Sequence, residues 1–143
     1  MITLALFEQM SSDNVAELTK NKDFFWEEMP LQSNGKPAQG VWLVTRGGDD
    51  SRSPNGLNLQ TTVDVYVAFN NKVKTELVQE EILKYLLNKR YFCELSGTID
   101  GKTYDYHNIR FRLVSTPQND GVTENGLIVK VQSILVTYDL ISI

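Results

Sequence analysis

Apolar and polar residues alternate strictly over one long stretch of the chain that starts at Leu57. One side of the alternation carries Leu59, Thr61, Val63, Val65, Val67 and Phe69, and the other side carries Gln60, Thr62, Asp64 and Tyr66. A period of two is typical of a strand that buries one of its faces. The pattern therefore predicts a long, half-buried strand.

Two other stretches have the spacing of amphipathic helices. Residues 2–10 place Ile2, Leu6, Phe7 and Met10 near a 3.6-residue period. The stretch from the capping signal Asn70-Asn71 to Arg90 carries an apolar stripe of Val78, Ile82, Tyr85 and Leu86. On its opposite side, Glu80 and Lys84 are spaced for an ion pair one turn apart.

The remaining strands are bounded by turn residues. Short strands are expected at 23–29 and from Gly40 to Arg46, separated by a loop at 30–40 that is rich in Pro and Gly. Strands at 91–99 and 102–115 are joined by Asp100-Gly101, a sequence that favours a two-residue hairpin turn. A second hairpin is expected with its loop at 117–126 and its return strand at 127–141.

The predicted order is α-β-β-β-α-β-β-β over a single domain, residues 1–143. Because the connections are tight hairpins, we expect a mainly antiparallel sheet. Both helices are expected to pack on one face of this sheet, which makes the chain an α+β protein.

Composition agrees with one ordinary globular domain. The chain has 143 residues, of which 41% are hydrophobic and 22% charged. A single cysteine, Cys93, excludes an internal disulfide framework and a Cys-rich zinc site. The apolar runs are too short to span a bilayer, and the N-terminus lacks the basic region of a signal peptide. We therefore expect a soluble protein that is intracellular or assembled inside a cell, with no membrane partner.

The net charge of −4 lies entirely in the N-terminal segment. Residues 1–30 hold six acids and two bases, and the remainder holds twelve of each. Binding to duplex phosphates needs a clustered basic surface, so this distribution argues against such binding. A solvated acidic face is the ordinary explanation of the excess.

No arrangement of residues in the sequence predicts catalysis. His107 is the only histidine and is expected to be structural, as is Cys93. Counting outward from the Asp100-Gly101 turn pairs Cys93 near residue 108, so that Cys93 and His107 would lie on opposite faces. The adjacent carboxylates at 27/28, 49/50 and 80/81 point apart, whereas acid and base catalysis needs convergence. We expect neither an enzyme nor a cofactor or metal site.

Arg110 and Arg112 flank Phe111 on the same predicted strand as Tyr104 and Tyr106. Strict alternation would place all four polar side chains on one face of the sheet. Tyr and Arg are enriched in the cores of protein interfaces. This face is therefore either a protein contact or an ordinary solvated surface.

Four segments of the chain resemble the tail terminator proteins of long-tailed bacteriophages of Gram-positive hosts, often labelled minor capsid proteins. They are GVWLVTRGG at 40–48, TTVDVYVAF at 61–69, a helix with KTE at 74–76, VQ at 78–79 and IL at 82–83, and TENGL at 123–127. The likeness covers most of the chain and agrees with the small α+β fold of that family.

The resemblance implies a structural virion protein, located in the neck region of the tail and assembled in the host cytoplasm. Its subunits would form a hexameric ring that terminates the tube built from the tail tube protein and that contacts the head-side connector protein. DNA would pass through the ring without specific binding, and like charge from the acidic segment would keep the duplex from sticking. A head-completion protein or a tail tube subunit is the alternative, and an enzyme or small-ligand binder is a third possibility.

A ring protein would also account for the long loops at 30–40, 47–56 and 117–126, since typical connections are about four to six residues. The loop at 47–56 has no apolar side chain and contains Asp49, Asp50 and Arg52. The loop at 117–126 contains Asn119, Asp120 and Glu124. We expect these residues, together with Tyr104, Tyr106, Arg110 and Arg112, to be assembly contacts.

Overall fold

The computed structural model describes residues 2–28, 38–48, 57, 59–88, 91–99, 101–114, 118–122 and 126–140. It contains two α-helices, α1 (Ile2–Ser12) and α2 (Lys72–Asn88), and a 3-10 turn at Val15–Glu17. The strands are β1 (Phe24–Trp26), β2 (Gly40–Gly48), β3 (Leu59–Phe69), β4 (Tyr91–Ile99), β5 (Lys102–Leu113), β6 (Gln118–Val122) and β7 (Ile128–Leu140).

All described strands belong to one seven-stranded sheet with the order β1-β2-β3-β7-β5-β4. The short β6 pairs with β7 beyond the end of β5, on the same side of β7. Every pairing is antiparallel except that of β1 with β2. The α+β class and its mainly antiparallel sheet are therefore confirmed, with one strand more than the predicted order.

The period-two pattern of β3 corresponds directly to burial. All six residues predicted for the inner side are buried, namely Leu59, Thr61, Val63, Val65, Val67 and Phe69. β3 lies between β2 and β7 and pairs with β7 along its whole length, from Leu59 opposite Tyr138 to Phe69 opposite Ile128. This strand is the centre of the sheet.

Both helices pack on this inner face and share one hydrophobic core with it. α1 is buried on almost every side, and its residues Ile2, Leu6, Phe7 and Met10 are at most 2% exposed. α2 buries Val78, Ile82 and Leu86 of the predicted stripe, and its fourth member, Tyr85, is half-buried against the same core. The predicted capping signal is confirmed, since the Asn71 Oδ1 accepts a hydrogen bond of 3.1 Å from the Lys74 amide.

Two glycines permit backbone arrangements that other residues would resist. Gly101 has φ of +77° in the two-residue turn between β4 and β5, as the hairpin signal predicted, while Asp100 lies outside the described residues. Gly40 has φ of +150°, and a Cβ there would overlap the carbonyl oxygen of Asp23. The absence of a side chain at Gly40 therefore allows β2 to start beside the residue that precedes β1.

The second hairpin differs from its prediction. Half of the segment predicted as a loop, 117–126, forms β6, and Val122 pairs with Ile128. Asn119 lies in this strand opposite Lys130, and Asp120 falls at an irregularity in the pairing, so neither residue belongs to a long loop. The segment contains turn-forming residues, which locally favour a loop. The backbone of residues 118–122 nevertheless pairs with the neighbouring edge of β7, and this tertiary contact overrides the local preference.

A β-bulge interrupts β5. His107 pairs with Asp139 and Arg110 pairs with Thr137, so two residues of β5 face one residue of β7 between them. Asn108 has φ of +54°, in the left-handed region that Asn tolerates better than most residues. Because of the extra residue, the even-numbered side chains of β5 lie on one face of the sheet before the bulge and on the opposite face after it.

Candidate assembly surface

The sheet face opposite the helices, called the outer face below, is uncovered by any helix in the described part of the chain. The register places on it Trp42, Val44, Arg46, Gln60, Thr62, Asp64, Tyr66, Arg110, Arg112, Val131, Ser133, Leu135 and Thr137. Most of these residues are half-buried or exposed. The outer face has an apolar, a polar and a basic area, which follow one another across the sheet.

The apolar area lies where β2, β3 and β7 run side by side. Trp42 and Tyr66 are cross-strand partners, and their rings stack at 4.8 Å between centroids with an interplanar angle of 10°. They cover a small cluster formed by Ala68, Leu127 and Val129, which is separate from the main core. Both aromatic side chains stay partly accessible, so they offer large apolar contact area to a partner.

The middle of the outer face holds a buried polar network. Asp64 and Ser133 are cross-strand partners and are each 8% exposed. The Ser133 hydroxyl donates to the Asp64 carboxylate at 2.6 Å and accepts from the Arg46 guanidinium at 3.1 Å. Arg46 lies 3.9 Å from the same carboxylate, so the buried charge of Asp64 is compensated.

The basic area lies on β5 beyond the bulge. Arg110 pairs with Thr137 and Arg112 pairs with Leu135, and both arginines are exposed. Together with Gln60 they line a surface cavity of about 350 Å³. Guanidinium groups spaced two residues apart on a strand project from the same face, so this cavity suits a carboxylate-bearing partner.

The predicted common face of Tyr104, Tyr106, Arg110 and Arg112 is wrong, and the bulge at Asn108 is the reason. Tyr106 is 1% exposed and packs edge-on against Tyr138 in the main core, with 5.2 Å between the centroids. Tyr104 packs against that core from its edge. Burial, followed by the nearby Glu8 carboxylate, raises the pKa of Tyr104. The two tyrosines therefore serve the core, and only the arginines reach the outer face.

His107 lies beside a neighbouring carboxylate. Its Nε2 lies 2.7 Å from the Asp105 Oδ1, and both atoms are buried, although their alignment is too bent for a regular hydrogen bond. The register sets Glu94, and not Cys93, opposite His107, which agrees with the expectation that Cys93 and His107 do not pair. The side chain of Cys93 lies outside the described residues.

A second cavity, of about 390 Å³, lies between α1 and β1. Leu4, Phe7 and Trp26 supply apolar walls, and the charged residues of the lining are Glu8, Lys20 and Glu28. Glu8 and Lys20 neutralise each other through an ion pair of 2.6 Å. Nothing in this lining converges on a reacting atom, so it gives no basis for assigning a reaction.

Several predicted contacts lie outside the described residues, namely Asp49, Asp50, Arg52 and Glu124. The side chains of Asn119 and Asp120 are likewise not described. Within the described segments, no cluster of three or more His, Cys, Asp or Glu side chains is placed to hold a metal ion. None of the described helices has the length and apolar character needed to cross a membrane.

Sequence reasoning missed the network of Arg46, Asp64 and Ser133. The available signal was Asp64, a carboxylate in the middle of an otherwise apolar and aromatic strand. It also missed the bulge, for which the signal was an Asn within a strand pattern.

No family model matches the chain, and no curated protein is significantly similar to it.

Proposed function

We propose that this protein is a structural subunit of a bacteriophage virion, which forms a hexameric ring that ends the tail tube and joins the tail to the head-side connector. The observation that carries the proposal is the outer face. No helix of the described residues covers it, and it combines stacked Trp42 and Tyr66 with Leu135, Arg110 and Arg112. Trp, Tyr and Arg are the residues that most often dominate protein interfaces.

The segments that resemble tail terminator proteins support this role by their position in the fold. GVWLVTRGG is β2 and TTVDVYVAF is most of β3, and these two strands supply half of the outer face. The third segment begins in the first turn of α2. The resemblance therefore falls on elements that build a contact surface.

Two of the described groups that often carry chemistry already have an oppositely charged or polar neighbour. His107 Nε2 lies 2.7 Å from the Asp105 carboxylate, and Lys20 is paired with Glu8. The proposed role needs no enzyme activity and no cofactor, because a ring protein acts through its contacts with neighbouring subunits, with the tail tube protein and with the connector.

The acidic N-terminal segment fits a ring through which DNA passes without specific binding. Glu8 and Glu27 are bound within the protomer, to Lys20 and to the Thr45 amide and hydroxyl respectively. Glu17 and Glu28 are exposed. Exposed carboxylates facing a channel would repel the phosphates of the duplex.

Electron microscopy and native mass spectrometry of the purified full chain test the proposal. Discrete six-fold rings are the expected result. Long tubes would favour the tail tube subunit, and complementation of a terminator-deficient phage then decides between the two. A protein that stays monomeric even at millimolar concentration would overturn the proposed ring.

A further inference from the structure

We infer that the ring contact joins the outer face of one copy to the solvent-facing side of α2 in the next copy. The inference rests on the ring proposed above and identifies the two surfaces that build it. Because the two surfaces differ, the contact is head-to-tail, and such contacts close into rings when the rotation between subunits permits. The partner of the outer face is thus a second copy of this chain.

The solvent-facing side of α2 carries an apolar pair followed by a pair of carboxylates. Val73 and Leu77 are 64% and 56% exposed, and their spacing of four residues places them on one side of the helix. Glu80 and Glu81 follow within about one turn and are exposed. Neighbouring exposed apolar side chains form a contiguous patch, and contiguous patches, unlike single exposed residues, mark interaction surfaces.

The two carboxylates are available for a partner. The predicted ion pair between Glu80 and Lys84 is absent, and neither Glu80 nor Glu81 has a cation within ion-pair distance among the residues that the structure describes. The neighbouring Glu76, by contrast, is 3.3 Å from Lys130 of its own chain. The charge of the carboxylate pair therefore faces solvent in the protomer.

The outer face carries complementary groups in the same order and at the same spacing. Leu135 lies beside Arg112, and Thr137, two residues further along β7, lies beside Arg110. Two strand residues span about 7 Å. On α2 the step from Leu77 to Glu81 spans about 6 Å. If Leu77 rests on Leu135, Glu81 therefore comes beside Arg110.

Val73 lies one helical turn, about 6 Å, farther from the carboxylates than Leu77. About the same distance along β7 leads from Leu135 to Ser133, so Val73 comes over Ser133 and its cross-strand partner Asp64. Val131 and Tyr66 lie about 14 Å from Leu135, beyond the position of Val73. Apolar contact would provide affinity, while the arginine–carboxylate pairs would fix the direction of α2 along β7.

A charge-exchange experiment tests this contact. The sheet variant carries Arg110→Glu and Arg112→Glu, and the helix variant carries Glu80→Arg and Glu81→Arg. Each variant alone brings like charges together at every contact, so we expect its ring to need at least about tenfold more protein to form. In an equimolar mixture, each kind of contact joins opposite charges again. Rings of alternating variants should then reappear, and native mass spectrometry would give their composition.

The control variant carries Lys22→Glu and Glu28→Arg, at exposed positions outside both surfaces, and should form rings as the wild type does. Thermal melting of each variant shows that the protomer is folded. If the wild type forms rings and both charge variants form them equally well, the proposed contact is wrong while the ring stands. Loss of rings in both variants without recovery in the mixture would also overturn the contact. A wild-type chain that never forms rings would overturn the ring itself.

Discussion

The two faces of the sheet are made from the same strands yet differ in composition and in their covering. Three consecutive residues of β7 show the contrast. Ile134 and Val136 are 1% and 0% exposed under the helices, whereas Leu135 between them is only half-buried on the outer face. The inner face supplies the hydrophobic stability of the protomer, and the outer face keeps apolar and charged groups accessible for association.

The polar groups on the two faces also differ. On the inner face, Thr61 donates to or accepts from the Tyr138 hydroxyl at 2.8 Å, deep within the core. On the outer face, a charged group, Asp64, is buried with Ser133 and Arg46. A carboxylate in this position constrains how the strands pair, because moving it to the other face would place it in the apolar core.

The largest expected effect comes from truncating β7 on the inner face. Ile134→Ala should lower the free energy of unfolding by about 2–5 kcal/mol, since it removes a buried side chain and leaves a cavity. Leu135→Ala is the matched variant on the outer face and should cost the protomer well under half as much, while it weakens ring formation. Urea unfolding and native mass spectrometry measure the two effects. Equal losses of protomer stability would remove the distinction between the faces.

A smaller loss is expected when the polar network of the outer face is broken. Asp64→Ala leaves the Ser133 hydroxyl without its acceptor and removes the carboxylate that lies 3.9 Å from Arg46, at a cost of about 1–3 kcal/mol. Arg46→Ala should cost less, because the Arg46 side chain is 63% exposed. Urea unfolding of both variants tests this order. If Arg46→Ala proved the more harmful change, the network would not be centred on Asp64.

The bulge determines which side chains of β5 lie on each face of the sheet, and its backbone requirement can be tested at Asn108. Its side chain donates to the Asp139 carboxylate at 2.8 Å, and its φ is positive. Asn108→Gly and Asn108→Val both lose that hydrogen bond, but only the valine opposes the backbone conformation. We expect Asn108→Val to be less stable than Asn108→Gly by about 1–2 kcal/mol. Equal stabilities would show that the left-handed conformation is not required.

Regular periodicity made most of the fold predictable from the sequence. The alternation from Leu59 to Phe69 and the stripe of α2 each depend on short-range spacing, and both were placed correctly. The hairpin at Asp100-Gly101 followed from turn chemistry. These features are local, so one segment of sequence carries the whole signal.

The prediction that Tyr104, Tyr106, Arg110 and Arg112 share one face was wrong because one extra residue in β5 interrupts the alternation of its side chains. Strict alternation placed Tyr104 and Tyr106 with the arginines, and the extra residue at Asn108 separated them. β6 was missed because its pairing depends on β7, which supplies hydrogen-bond partners that local composition does not reveal. The helix surface at Val73 and Leu77 was also missed, since its exposure depends on how α2 is rotated against the sheet.

The smallest expected effect concerns a polar contact at the rim of the covered face. The Tyr85 hydroxyl of α2 donates to the Asp13 carboxylate at 2.6 Å, just after α1. Burial, followed by the hydrogen bond to Asp13 and its negative charge, raises the pKa of Tyr85 well above its usual value. Tyr85→Phe should cost about 0.5–1.5 kcal/mol at neutral pH through the lost hydrogen bond.

The same contact predicts a pH dependence with a definite sign. Above about pH 10 the tyrosine of the unfolded chain ionises, while Tyr85 in the folded protein keeps its proton. The unfolded state then binds fewer protons, so the stability that this contact provides is complete below that pH and declines as the pH rises. Urea unfolding from pH 7 to 11 should show the wild type losing stability more steeply than Tyr85→Phe, until the two converge. Parallel curves would mean that the contact with Asp13 does not hold the Tyr85 proton.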